Sequence, residues 1–189
     1  IEAGQGFPPH DHENMEIITY VRSGAVLHRD SLGNEGRTGA GDVQVMSAGT
    51  GITHAEYSDP DVETTLYQIW IFPRDKNVTP RWDQRTFPKE PISDALPLLV
   101  SGDRADSERG ALYIHQDARI YGGALGPGAT ITHPITHQAY VLVMDQPVDI
   151  GGHILYPGDG AEITDEASIA ITSGEVPGSI LVIDVPKTR

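Results

Sequence analysis

The feature that most constrains the fold is a series of short β-branched runs separated by glycine and proline. The 189 residues include 21 Gly and 14 Pro, spread along the whole chain. Between them lie the runs 16–21, 42–46, 64–72, 112–114, 139–143, 168–172 and 179–185. Strands of this length, bounded by turn residues, predict an all-β sandwich or barrel, and no segment shows a long helical periodicity.

Part of this pattern occurs twice along the chain. In the first half His12 is followed by a glycine-aspartate pair at Gly41, and in the second half His133 is followed by such a pair at Gly158. The proline-rich, charged stretch 79–97 lies between the halves and suggests an inter-domain connection, with a short helical turn at 93–96. We therefore predict two small barrels in tandem, at residues 1–90 and 91–189.

Composition excludes several classes of function. The formal net charge of −14 would repel phosphate backbones, so direct nucleic-acid binding is not expected. The chain has no cysteine, which removes disulfides, thiolate ligands and thiol nucleophiles, and which fits a cytoplasmic protein. No apolar run approaches the roughly 20 residues of a membrane-spanning helix, so no membrane contact is expected.

Two short pairs of polar residues, His10 with His12 and His54 with Glu56, indicate a metal site. Residues i and i+2 of a strand face the same side, so each pair can aim two ligands into one interior. Two prolines before the first pair argue against a helix there. Three imidazoles and a carboxylate suit Fe(II), Mn, Co, Ni, Cu or Zn, and they leave two positions of an octahedral ion open. We predict one mononuclear metal site with these four ligands.

The amino-acid sequences of several segments identify a family more specifically than the spacing of these ligands does. Residues 10–16 (HDHENME), 28–34 (HRDSLGN), 41–46 (GDVQVM) and 48–56 (AGTGITHAE) together closely resemble the pirin family of the cupin superfamily. The strong match covers roughly residues 4–75. The second half resembles the degenerate C-terminal cupin of that family more weakly, through 114–119 and 158–161. The resemblance implies two cupin-type, jelly-roll β-barrels in tandem.

The resemblance also implies a ligand set and a reaction. In pirins the positions that match His10, His12, His54 and Glu56 hold a divalent metal, usually described as iron, and some bacterial members are quercetin 2,3-dioxygenases. The expected substrates are therefore a flavonol and dioxygen, with Fe(II) as the first choice of metal. By the same resemblance, Glu56 is the expected catalytic residue, which accepts a proton from a flavonol hydroxyl.

Several further residues either support the site or serve ordinary packing. Glu16 has the parity of His12, so we expect it to point inward and to hold an imidazole N–H rather than the metal. Phe7, Met15, Met46 and Ile52 are candidate walls of the pocket, on proximity to the motifs alone. For His28 with Asp30, a polar pair at a hairpin is favoured over a place in the metal set.

Alternatives remain for the second half of the chain and for the function. The spacing of His133 and His137 imitates that of the first motif, yet no histidine-x-glutamate follows Gly158, so a second metal is not expected. The competing function is a non-enzymatic, metal-bearing regulator that binds a partner protein and senses the redox state of iron, as the pirin resemblance also allows. A sugar-binding or isomerising cupin would share the barrel but not these loops.

Overall fold

The structure is a computed structural model that describes residues 1–187, in which every regular element is a β-strand except one short helix. They divide into two compact units. The first contains Ile1–Pro88, Gly102–Glu108 and Leu112–Gln116, and the second contains Lys89–Ser101, Arg109–Ala111 and the chain from Asp117 onward. The all-β class is confirmed, whereas the exact division at residue 90 stays a prediction.

The first unit is built from nine strands and one short helix of the described chain. They are β1 Gly6–His12, β2 Glu16–Ser23, β3 Ala25–Asp30, β4 Glu35–Gly39, β5 Val43–Ser47, β6 Ile52–Ser58, β7 Thr65–Ile71, β8 Arg81–Arg85, α1 Arg104–Glu108 and β10 Leu112–Tyr113. Eight of these strands form two antiparallel sheets, with the orders β1-β6-β3-β4 and β7-β2-β5-β8. The two orders show that sequence neighbours such as β1 and β2 lie in different sheets.

The inner faces of these two sheets meet in a small apolar cluster. Ile17 of β2 and Met46 of β5 pack with Ile52 of β6, so these residues mark the side of each strand that faces the interior. Gly36 of β4 lies so close to the Trp82 ring that an added Cβ would collide with it. A glycine at this position therefore lets the indole of β8 enter the interior from the opposite sheet.

The hairpin between β3 and β4 is closed by the side chain of Asp30. Its Oδ1 accepts the backbone N–H groups of Leu32 at 2.9 Å and Asn34 at 3.1 Å, which is the local pattern that makes aspartate common in turns. The antiparallel pairing of β3 with β4 runs out to Arg29 and Glu35 on either side of this turn. The turn fixes the end of β3, and β3 pairs with β6 in the same sheet.

The second unit repeats the architecture of the first. Its strands are β9 Leu98–Ser101, β11 Arg119–Leu125, β12 Thr130–Pro134, β13 Gln138–Val143, β14 Val148–Ile150, β15 His153–Leu155, β16 Gly160–Ile163, β17 Ser168–Ser173 and β18 Gly178–Val185. One sheet has the order β12-β17-β14-β15, and in the other β9, β11, β18, β13 and β16 are successive neighbours. Buried aliphatic side chains from both sheets, among them Val141, Ile171 and Ile180, form its core.

One expectation for the stretch 79–97 was wrong, and the connection between the units occupies only part of it. Residues 93–96 contain no helical turn, and the described helix lies at Arg104–Glu108 instead. Part of the presumed connection forms β8, which pairs with β5 and belongs to the first unit. Proline and charged residues occur in an edge strand as readily as in a linker, so composition alone did not separate the two.

No helix within residues 1–187 is long and apolar enough to cross a bilayer.

Candidate metal centre

Three histidines come together on the paired strands β1 and β6. The antiparallel register sets His10 directly opposite His54, and His12 lies two residues farther along β1 on the same face. The ring centroids of His10 and His54 are 4.4 Å apart, those of His10 and His12 are 4.9 Å apart, and those of His12 and His54 are 5.0 Å apart. One ring nitrogen from each lies within 4.8 Å of the others. The structure thus assembles the three predicted imidazoles.

The protonation state of these rings suits a metal. His54 is 2% exposed, and burial, followed by the neighbouring histidines, lowers its pKa to about 3. Burial and then His10 also lower the pKa of His12. Nδ1 of His10 lies 2.8 Å from the Pro8 carbonyl oxygen and donates to it, which leaves Nε2 of that ring with a free lone pair. Neutral imidazoles are the form that coordinates transition metals.

His54 provides the observation that decides whether a metal fits. Both of its ring nitrogens are buried, and neither has a hydrogen-bond partner. A buried polar group without a partner costs about 1–3 kcal/mol, so native proteins rarely retain one without a reason. A cation held by the three imidazoles would satisfy at least one of these nitrogens. The residues present therefore fit a divalent transition metal at this position.

Glu56 lies two residues after His54 on β6 and is also buried, at 3% exposed. Its two oxygens accept hydrogen bonds from the side-chain amides of Gln44, through Oε1, and Gln68, through Oε2 at 2.8 Å. Burial raises the pKa of Glu56, while the Gln68 amide and His10 oppose that rise. The carboxylate therefore has a higher proton affinity than a solvated glutamate, and both oxygens are held in fixed directions.

Glu56 joins a second group of potential ligands that shares His54 with the first. In this group a ligand atom from each of His28, His54 and Glu56 lies within 4.8 Å of the others, and all three residues are buried. Among residues 1–187 the structure therefore gathers His10, His12 and His54 in one triad and Glu56 in an adjoining one. A single four-residue ligand set remains a prediction.

His28 lies closer to the candidate metal centre than the sequence analysis predicted. Its Nε2 donates to Oδ2 of Asp30 at 3.0 Å, which is the expected polar pair. The ring also stacks on Trp82, with centroids 4.7 Å apart, and lies 5.4 Å from the His54 ring. Its Nδ1 is buried without a partner, and burial lowers the pKa of the ring. Its link to the centre depends on β3 pairing with β6, which spacing along the chain does not reveal.

Glu16 lies away from the imidazoles. Ile17 faces the interior, so Glu16, its neighbour on β2, points to the opposite side of the sheet. Its Oε2 accepts a hydrogen bond from the Ser47 hydroxyl at 2.7 Å, not from an imidazole. The parity argument does not carry from His12 to Glu16 because β1 and β2 lie in different sheets, and Asn14 between them has a left-handed backbone with φ of 48°.

The proposed wall residues divide into two groups. Met46 and Ile52 are buried in the apolar cluster, with Met15 packed against it, so they support the centre from within. Phe7 is 50% exposed, and its ring centroid lies 6.5 Å from that of His10. Trp70, which sequence reasoning missed, is 54% exposed and lies 5.0 Å from the His12 ring. The β-strand alternation of 65–71 could have indicated its inward position.

The second unit holds its histidines differently. His133 is buried on β12 against the Tyr121 ring, with centroids 4.5 Å apart. Nε2 of His137 pairs with Oδ2 of Asp117 at 3.2 Å. Among the described residues, the groups of three potential ligands that come together are both in the first unit. We therefore keep the expectation of one metal centre.

Comparison with known proteins connects this site to a family. Residues 1–71 match the pirin family, and residues 98–185 match the quercetinase C-terminal cupin domain. The quercetin 2,3-dioxygenase of Escherichia coli K12 is 41% identical over 192 residues, which cover 98% of this chain and 79% of that protein. This chain belongs to the pirin family. A pirin-like protein of Caulobacter vibrioides is 46% identical over 184 residues, with 96% of this chain and 78% of the relative covered.

Solved pirin structures agree with the tandem cupin fold. The E. coli pirin YhhW in complex with nickel(II) superposes with a TM-score of 0.88 at 39% identity, covering 100% of this chain and 80% of that one. The predicted pair of cupin barrels is thus confirmed. A pirin with a bound divalent metal also agrees with the chemistry of the three-imidazole cluster in this chain.

Proposed function

We propose that this pirin is a metal-dependent dioxygenase that cleaves a flavonol such as quercetin in the cytoplasm. The observation that carries the proposal is the cluster of three imidazoles around the buried, unpartnered ring of His54. We assign His10, His12, His54 and Glu56 as the metal ligands and Fe(II) as the metal, with Co, Ni, Mn, Cu and Zn as alternatives. The name of the E. coli relative supports the reaction, and the nickel complex of a pirin supports a divalent metal in this family.

The metal, when bound, would polarise the flavonol 3-hydroxyl and bring the ring and dioxygen into one reactive site. The protein residues supply the remaining requirements. Glu56 accepts the proton of the 3-hydroxyl, since burial raises its proton affinity and the amides of Gln44 and Gln68 hold its oxygens in place. Dioxygen then adds to the flavonol ring, which opens and loses carbon monoxide, so that both atoms of dioxygen remain in the ester product and Glu56 returns its proton to the carboxylate of that product.

The test is aerobic incubation of metal-loaded protein with quercetin. We expect loss of the flavonol absorbance together with release of one carbon monoxide per flavonol consumed. Glu56→Gln should lower kcat by about 10²–10⁴-fold, the usual contribution of a positioned general base. His153→Ala, which removes an exposed histidine of β15, is the matched control and should leave turnover unchanged.

One result would contradict the dioxygenase proposal. If protein loaded in turn with Fe, Co, Ni, Mn, Cu and Zn neither bleaches quercetin nor releases carbon monoxide, the dioxygenase proposal is wrong. A non-enzymatic regulator would then be tested by asking whether a partner protein binds the Fe(II) form and the Fe(III) form with different affinity.

A further inference from the structure

Trp70 is unusual because it combines an interior-facing strand position with exposure to solvent. It lies on β7 and pairs with Ile17, which faces the interior, yet 54% of its surface is exposed. A single exposed tryptophan is ordinary on a protein surface. The contacts of this one, rather than its exposure, require an explanation.

The first contact is with a proposed metal ligand. The Trp70 and His12 ring centroids lie 5.0 Å apart, and the two ring planes are nearly perpendicular, at 88°. Such an edge-to-face arrangement is a favoured geometry for aromatic pairs and fixes the orientation of the indole. Trp70 is therefore held at the rim of the imidazole cluster, where His10 and His12 are only partly buried.

The second contact connects Trp70 to the carboxylate of Glu56. The indole Nε1–H donates to Oε1 of Gln68 at 2.9 Å, and Nε2 of Gln68 donates to Oε2 of Glu56 at 2.8 Å. One glutamine side chain thus relates the position of the indole to that of the proposed general base. With its edge bonded to Gln68, the indole still leaves more than half of its surface to solvent.

We propose that Trp70 is the stacking platform for a planar aromatic ring of the substrate, and that Gln68 couples that platform to Glu56. This inference rests on the proposed function and assigns its substrate-binding residue. A flavonol is flat and largely apolar, so a rigid indole beside His12 can bind its face while Glu56 meets the 3-hydroxyl. Phe7, half-exposed beside His10, adds a second aromatic side chain at the same rim.

The experiment measures binding separately from turnover. Wild-type, Trp70→Leu and Trp70→Phe proteins, loaded with Zn, are titrated without oxygen with quercetin and with flavone, which lacks the 3-hydroxyl. Tyr156→Leu, which removes an exposed tyrosine of the second unit, is the matched control. Metal content is measured for every variant, so that a lost ligand set is not mistaken for a lost platform.

We expect Trp70→Leu to weaken both ligands about tenfold, equivalent to about 1.4 kcal/mol, without loss of metal. Trp70→Phe keeps an aromatic face but loses the N–H to Gln68. It should therefore bind both ligands within about threefold of wild type and, if turnover occurs, show a lower kcat at an unchanged KM. The control should match wild type in every measurement.

The outcomes separate this inference from the proposed function. Binding that depends on Trp70 without quercetin cleavage would support the platform and contradict the dioxygenase. Cleavage with wild-type affinity in Trp70→Leu would contradict the platform and leave the dioxygenase intact. If wild-type protein bound neither quercetin nor flavone, the platform would be overturned as well.

Discussion

The two barrels use the same strand order to build different interiors. The sheet β1-β6-β3-β4 of the first unit corresponds to β12-β17-β14-β15 of the second. His10 pairs with His54 across β1 and β6, whereas His133 pairs with Ile169 across β12 and β17. Two residues farther along, β6 carries Glu56, while β17 carries Ile171.

This difference shows that corresponding strands of two cupin barrels can bury either polar ligands or aliphatic side chains. In the second unit Ile171 is fully buried among aliphatic side chains, which stabilise the barrel by the area they remove from water. In the first unit the equivalent strand buries an imidazole and a carboxylate, which cost stability unless they are bonded. The first barrel therefore gives up part of its core to form a site.

The largest expected effect comes from the histidines that occupy these two interiors. His54→Ala should abolish stoichiometric metal binding, because it removes the imidazole shared by both ligand triads. His133→Ala should leave the metal content unchanged, because His133 pairs with Ile169 and packs on Tyr121. Elemental analysis of both purified variants checks this. Equal loss of metal in the two variants would mean that the second unit also contributes to a metal site.

The next effect concerns stability. Ile171→Ala should lower the free energy of unfolding by about 2–5 kcal/mol, since it leaves a cavity in a packed core. Glu56→Gln, on the corresponding strand of the first unit, should cost less than about 1.5 kcal/mol, because the amide keeps an acceptor for one of its two glutamine partners. Urea denaturation of metal-free protein measures both. A larger loss from Glu56→Gln would show that this residue supports the fold of the first barrel.

Much of the fold could be predicted from the sequence. All seven β-branched runs lie in strands or extend one, because turn residues and period-two patterning act locally. Spacing showed that each i, i+2 pair can share a face, and the resemblance to the pirin family implied that His10, His12 and His54 meet at one metal. The local pattern therefore identified the strands, whereas the resemblance brought the two pairs together.

The residues that sequence reasoning missed depend on pairings between distant strands. His28 reaches the centre because β3 is the neighbour of β6, and Trp70 reaches it because the inner faces of two sheets oppose each other. Glu16 was misplaced for a related reason. Period-two alternation holds within a strand, and it fails where the chain crosses from β1 to β2 through the left-handed Asn14.

The misplaced Glu16 gives a prediction about pH that compares two buried acids. Asp184 of the second unit accepts backbone N–H groups from Thr136 at 2.6 Å and His137 at 3.1 Å. Glu16 accepts a hydrogen bond from the Ser47 hydroxyl at 2.7 Å, and the backbone of His115 also favours its charged form. Burial nevertheless raises the pKa of Glu16 to about 7, against the opposing effects of Ser47, the His115 backbone and Arg81.

Because the folded pKa of Glu16 lies above the unfolded value of 4.5, the folded protein binds a proton that the unfolded chain has released between these values. The contribution of Glu16 to stability is therefore fully present below about pH 4.5 and is lost as the pH rises through about 7. Glu16→Gln cannot titrate. Its stability relative to wild type should rise by about 2–3 kcal/mol between pH 4.5 and pH 8. A constant difference across that range, measured by urea denaturation at each pH, would mean that the pKa of Glu16 is the same in the folded and the unfolded protein, so that its contacts stabilise the charge as well as water does.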